Sequence, residues 1–203
     1  SSGLAGLAGQ FGSLASMAGI NLGGSGGDKT ALALEILKSR SFIETFISNH
    51  GLLVPIMAGE NWNLATDTLM LNNELYDQVN NKWLREVKPP KKAEPSSWEA
   101  YKKFSELLSV SQDKTTSMVT IGIEYFSPTM AQQWLIWLIN DINDFMRDQD
   151  QKEAQASINY LTQQLENIQV TTMETVFYQL IEEQTKSMML TKVKAEYVLK
   201  TID

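Results

Sequence analysis

The sequence has no cysteine and a single histidine, His50. These two absences exclude a disulfide framework, a thiolate metal site and the usual Cys/His nucleophilic pairings. A cysteine-free chain suits an oxidising compartment that avoids stray thiols and suits the cytosol equally, so the compartment stays open on this ground. Basic residues are also scarce: 17 Lys and Arg face 24 Asp and Glu, a formal charge of −7. Neutralising a phosphate backbone needs clustered cations, and the only cluster is Lys88, Lys91 and Lys92, which argues against nucleic acid as a partner. A basic n-region of the kind that opens a signal peptide is missing from Ser1 onward, and the longest run of large apolar residues, Trp134–Ile139, is far too short to cross a bilayer. The chain as given is therefore expected to be soluble.

Helix breakers are missing too, because Thr129 to Asp203 contains neither Gly nor Pro. Ser127 stands at an N-cap position and Pro128 at the first helical position, where a missing N–H costs nothing. A helix from Pro128 to about Ile168 would be about 60 Å long. That is longer than a compact domain of this size is wide, so part of it is expected to project. Within it Leu135, Leu138, Ile142, Phe145 and Gln149 recur at 3-4 spacing, followed by Ala154, Ile158, Leu161, Leu165 and Ile168. Thr171–Glu174 has the form of a capping box, and a second helix carries Met173, Phe177, Leu180, Gln184 and Met188 on one side. Two helices with narrow seams and a short break make a hairpin whose natural completion is self-association.

The first 27 residues are low-complexity Gly, Ala and Ser with scattered Leu, Phe and Met. They read as a linker or as a close-packing surface, with Gly3, Gly6, Gly9 and Gly12 letting backbones approach. Asp28 then N-caps an amphipathic helix carrying Leu32, Ile36, Leu37, Ile43, Phe46 and Ile47 and closed by Gly51. Lys82–Val87 reads as a short strand, and Ser96-Ser97-Trp98-Glu99 is a capping box opening a helix to about Leu107. Leu108–Gln112 and the alternating Val119–Tyr125 form a β-hairpin across Asp113–Thr116, and Tyr197–Ile202 reads as one further strand. So small a sheet leaves edges open, which suggests an excised fragment with strands missing before Ser1.

The fold class expected is α+β: a small α/β base with a mixed sheet and a long projecting helical hairpin. Residues 28–127 and 195–203 make the base, residues 1–27 its flexible segment, and residues 128–194 the hairpin.

No constellation for catalysis emerges, and no cofactor or metal site is expected. Gly23–Thr30 nearly matches a phosphate-cradling loop, but Asp28 intrudes where Gly must precede Lys. The acidic run Asp141, Asp144, Asp148, Asp150 and Glu153 lacks the Gly-centred turn of a calcium loop and reads as a solvated helix face. His50 lies near a helix C-terminus, where a cation is favoured. Trp134 and Trp137 suit either a core or an interface, and with Ile158, Leu161, Leu165 and Phe177 they are the candidate oligomer or partner surface.

Several segments together resemble the bacterial polysaccharide co-polymerases, the Wzz-type chain-length determinants. They are Leu108–Lys114, Val119–Tyr125, Ser127-Pro128 with Ala131 and Trp134, Asn140–Asn143, Arg147, the helix from Ala154 to Leu165, Tyr178–Lys186, Met188–Leu190 and Glu196–Asp203. The likeness covers nearly the whole chain, although no single motif is diagnostic. It implies the periplasmic domain of an inner-membrane protein with two transmembrane helices outside this chain. It implies also a ring-like or bell-shaped homo-oligomer that works with a membrane polysaccharide polymerase, and with the growing polysaccharide, to set O-antigen or related chain length in lipopolysaccharide biosynthesis without catalysis of its own. The alternative is a periplasmic coiled-coil adaptor or scaffold of a secretion or export assembly.

Overall fold

The computed structural model describes residues 26–113, 115–166, 171–194 and 196–202. These are α+β, with six helices and three small antiparallel strand pairs. In chain order the elements are α1 (Gly26–Lys38), α2 (Arg40–Asn49), α3 (Leu53–Ala58), β1 (Gly59–Asn63), β2 (Thr68–Leu71), β3 (Tyr76–Asp77) and β4 (Lys82–Trp83). Then come α4 (Ser97–Leu107), β5 (Leu108–Gln112), β6 (Val119–Ile123), α5 (Pro128–Leu165) and α6 (Thr171–Val193). Two compact units share them: Ala31–Ile142 is one, and the described residues 26–30 belong with those from Asn143 onward in the other. Among the described residues no helix is long and apolar enough to cross a membrane.

In the first unit the single amphipathic helix expected from Asp28 to Gly51 is two. Its start lies at Gly26, which puts Asp28 inside the first turn, and Ser39 breaks it. Ser39 has an extended ψ of 146° and its Oγ accepts the Phe42 N–H at 3.3 Å, so an N-cap replaces a helix interior. Both pieces still bury their apolar sides, Ala33, Leu34 and Leu37 on α1 and Phe42, Ile43, Phe46 and Ile47 on α2. The closing glycine is as expected: Gly51 has φ +64°, its N–H bonds the Ser48 carbonyl, and Leu52 N–H bonds that of Ile47.

The capping box at Ser96 also forms. Ser96 Oγ accepts the Glu99 N–H at 3.2 Å while Glu99 accepts the Ser96 N–H at 3.0 Å. From α4 the core continues through Phe104, whose ring meets Phe46 at 5.4 Å and Trp134 at 6.3 Å. β5 and β6 pair in the register Leu108↔Ile123, Val110↔Ile121 and Gln112↔Val119, which puts the apolar residues of both strands on one face.

Beyond β6, Tyr125 donates its hydroxyl to the Pro55 carbonyl at 2.6 Å and meets Trp134 at 4.4 Å. The ring crosses directly over Gly59, where a Cβ would stand 2.3 Å from the Tyr125 hydroxyl and 2.5 Å from the Pro55 carbonyl. Only glycine fits there, and the burial that creates this contact pushes the Tyr125 phenol well above its usual range.

The expected mixed sheet is not formed by the described residues. β1 pairs β2, β3 pairs β4 and β5 pairs β6, all antiparallel and with no strand shared. The Lys82–Val87 strand shrinks to Lys82–Trp83 because Arg85 turns away to donate to the Ala93 carbonyl (2.7 Å) and the Lys92 carbonyl (3.0 Å).

The start of α5 follows the sequence. Ser127 is buried, its Oγ accepts the Met130 N–H at 3.2 Å, and Pro128 opens the helix. At 38 residues, α5 is about 57 Å long. Its buried apolar positions are Trp134, Leu138, Ile142 and Met146, then Ala154 and Leu161. Leu138 and Ile142 of the expected 3-4 register are buried, but Leu135 is half-buried and Phe145 exposed, and Trp134 and Met146 take their places in the stripe. The helix is shared by the two units, its residues to Ile142 in the first and from Asn143 in the second.

In the second unit α5 and α6 run in opposite directions. Leu161 packs with Leu180, Gln151 Nε2 donates to Thr191 Oγ1 at 3.2 Å, and Arg147 donates to the Lys194 carbonyl at 2.8 Å, partners falling in number on one helix as they rise on the other. The expected Tyr197–Ile202 strand is absent. Asn143 takes the part of a neighbouring strand instead: its Oδ1 accepts the N–H groups of Val198 and Leu199 and its Nδ2 donates to the Leu199 carbonyl, each at 2.9 Å. These bonds place the C-terminal segment with α5, whereas the sequence reading attached it to the sheet. The Thr171 cap side chain and the Gly-rich residues 1–25 lie outside the described residues.

Candidate interaction surface

The six residues expected at an interface divide into two groups. Trp134 is 1% exposed, enclosed by Phe104 and Tyr125, and Leu161 is buried against Leu180 with Val176, Phe177 and Ile181 around it. Both are interior residues of the folded chain and neither offers a surface. Phe177 is half-buried in that same seam, and Ile158 and Leu165 are half-buried on α5. Trp137 is half-buried in the first unit, its indole stacked on the His50 imidazole at 4.6 Å and 8°.

His50 is held from three sides. Phe46 lies 4.9 Å away, Trp137 covers one face, and the Asp141 carboxylate meets Nε2 at 2.8 Å. The carboxylate lies on the first turn past Trp137, so α5 supplies both the ring and the charge. This arrangement docks α2 on α5 through an oriented imidazole.

The acidic run is likewise spent on structure. Asp144 pairs with Arg147, Asp148 with Lys152 at 2.6 Å, and Asp150 with Lys29 at 2.6 Å and with the Tyr197 hydroxyl. Burial and the bond to Asp150 raise the Tyr197 phenol above its usual range. Among the described residues no group of three or more His, Asp or Glu is placed to hold a metal ion.

What the second unit does expose is the far side of α6. Tyr178, Glu182, Lys186, Met189 and Val193 follow one another at helical spacing on the side away from Phe177, Leu180, Gln184 and Met188. Met189 is 61% exposed, its neighbour Leu190 63% and Val193 81%, and Tyr178 is exposed at the other end. Between them Glu182 and Lys186 pair at 2.6 Å, each charge holding the other in its ionised form. The stripe is thus apolar at both ends and charged in the middle. Sequence reasoning missed it by following the seam; the signal was the large apolar residues on α6 that the seam left over.

The chain matches no family model, no characterised protein and no solved structure.

Proposed function

We propose that this chain is the periplasmic portion of a bacterial polysaccharide co-polymerase, anchored in the inner membrane by helices outside it. In this reading it is a non-enzymatic, ring-forming homo-oligomer that works with a membrane polymerase to set the length of O-antigen or a related surface polysaccharide. Its α+β part would be the base, and α5 with α6 a hairpin projecting from it.

The observation that carries the reading is the α5–α6 pair. Its inner seam is filled by Leu161, Leu180 and their neighbours, yet α6 leaves Tyr178, Met189, Leu190 and Val193 in solvent on its other side. A helix pair complete within itself has no structural need for a second apolar side, and large exposed apolar residues gathered on one helix mark an interaction site. Neighbouring copies of the same helix pair are the partners that a ring supplies.

The test is the length distribution of surface polysaccharide from cells in which the full-length gene is deleted and then restored. The proposal expects deletion to replace a clustered band distribution with a random one and restoration to bring the cluster back. An unchanged ladder would contradict it and favour the adaptor reading.

A further inference from the structure

The strongest unassigned feature lies in the first unit, at the start of α4. A cleft of about 480 Å³ is walled by Pro90, Pro95 and Trp98, with Lys91 and Lys92 among its polar lining. That volume is within the range of small-ligand sites, roughly 300–1,000 Å³. Trp98 remains 43% exposed although the Arg40 guanidinium stands 4.9 Å and the Lys102 ammonium 5.5 Å from its ring centre. An exposed tryptophan attended by two cations is unusual in a chain whose net charge is −7.

The cleft is also pre-shaped. Arg85 ties its loop by donating to the Ala93 and Lys92 carbonyls and to Glu99, and Glu99 is fixed in turn by Ser96. Arg40 is steadied by Glu44 at 2.9 Å. Lys92 pairs with no carboxylate among the described residues, so its charge is available to a ligand, whereas Lys91 stands 3.6 Å from Glu99 and Lys102 lies over Trp98. Glu94, also on the lining, is the one opposing charge that Arg85 and Ser96 do not engage.

We propose that this cleft binds an acidic saccharide, its ring lying on Trp98 and its carboxylate meeting Lys92, with Lys91, 3.6 Å from Glu99, beside it. The flat indole and the two prolines suit the C–H face of a pyranose, and the lysines suit a carboxylate on the ring. The choice of a sugar body rests on the polysaccharide reading; the choice of an acidic ligand rests on the cleft.

Isothermal titration of the whole chain with a galacturonate oligomer tests this, with a neutral maltose oligomer, polyglutamate and ATP as comparisons. The galacturonate oligomer is expected to bind, the neutral sugar and polyglutamate to bind at least about tenfold more weakly, and ATP no more tightly. Trp98→Ala and the pair Lys91→Gln with Lys92→Gln are each expected to weaken binding about tenfold or more, while Trp98→Tyr retains most of it; thermal melting confirms that each variant is folded. No binding at millimolar concentration, equal binding of polyglutamate or the neutral sugar, tighter binding of ATP, or full affinity in the folded Trp98→Ala variant would overturn the proposal. Failure here with a positive deletion ladder would remove the cleft and leave the length-regulation reading standing.

Discussion

The side-chain amide of Asn143 forms a two-way bridge with the backbone of Leu199, donating to its carbonyl and accepting its N–H, both at 2.9 Å. The amide accepts a third bond, from Val198 N–H, while Asn143 itself is buried. One side chain thus satisfies a segment that would otherwise need a strand beside it.

Asn143→Ala is expected to destabilise the second unit by about 2–4 kcal/mol, because three bonds are lost and half-buried backbone groups of Val198 and Leu199 are left without these partners. Asn143→Asp is expected to be destabilising too, since an ionised carboxylate can accept from Val198 and Leu199 but cannot donate to the Leu199 carbonyl. Amide hydrogen exchange at Val198 and Leu199 reads this out: protection falls sharply in Asn143→Ala. Unchanged protection would show that the segment is held by other contacts.

Glu99 has its carboxyl lowered from 4.5 to about 2, chiefly by its bonds to Arg85 and then by the Ser96 N–H. A depressed carboxylate contributes stability that is fully present above pH 4.5 and fades as pH falls toward 2. Glu99→Gln is expected to cost about 1–2 kcal/mol near neutral pH through the weakened cap and the lost charged bond. It is also expected to flatten the stability profile between pH 4.5 and 2. Urea unfolding across that interval measures both; parallel profiles for the two proteins would contradict the assignment.

Gly59→Ala tests the crossing of Tyr125. A Cβ 2.3 Å from the hydroxyl and 2.5 Å from the Pro55 carbonyl cannot be accommodated without movement of Tyr125 and of backbone. The expected cost is about 2–4 kcal/mol. Tyr125→Phe removes the hydroxyl from that clash and leaves the carbonyl, so the double variant is expected to lose less than the two single losses combined. Strict additivity in chemical denaturation would refute the geometry.

Seam and surface on the α5–α6 pair separate cleanly by stability. Leu161→Ala is expected to cost about 2–4 kcal/mol through lost burial and the cavity left behind. Val193→Asp is expected to change stability by no more than about 0.5 kcal/mol, because the side chain is exposed. Thermal melts of the two variants make the comparison, and equal losses would show that Val193 belongs to the core.

Local signals were the legible part of this sequence. Ser96 with Glu99, Ser127 with Pro128, Gly51 and the β5–β6 alternation each act within a few residues, and each is found where the pattern puts it. Ser39 was misread because its apolar neighbours keep helical spacing across the break; only its capping bond to Phe42 reveals the division. Tyr197–Ile202 was misread because apolar composition suggested a strand, and the competing partner, Asn143, is more than fifty positions away. Trp134 and Leu161 were placed on the candidate surface for a similar reason. Spacing put Leu161 in a helical seam and composition left Trp134 to either a core or an interface, but the groups that cover them, Leu180 and Phe104 with Tyr125, come from other elements of the same chain. Periodicity marks a buried side without saying what buries it.

In the proposed function the outer side of α6 joins copies of this chain, and the joined form sets polysaccharide length. The most direct measurement is the surface-polysaccharide ladder of cells whose full-length gene carries Met189→Glu with Val193→Glu, with protein level followed alongside. Under the proposed function normal protein abundance and loss of the modal cluster are expected, because Met189 and Val193 are exposed in the folded chain and their replacement leaves its core untouched. A normal ladder from normally abundant variant protein would contradict it.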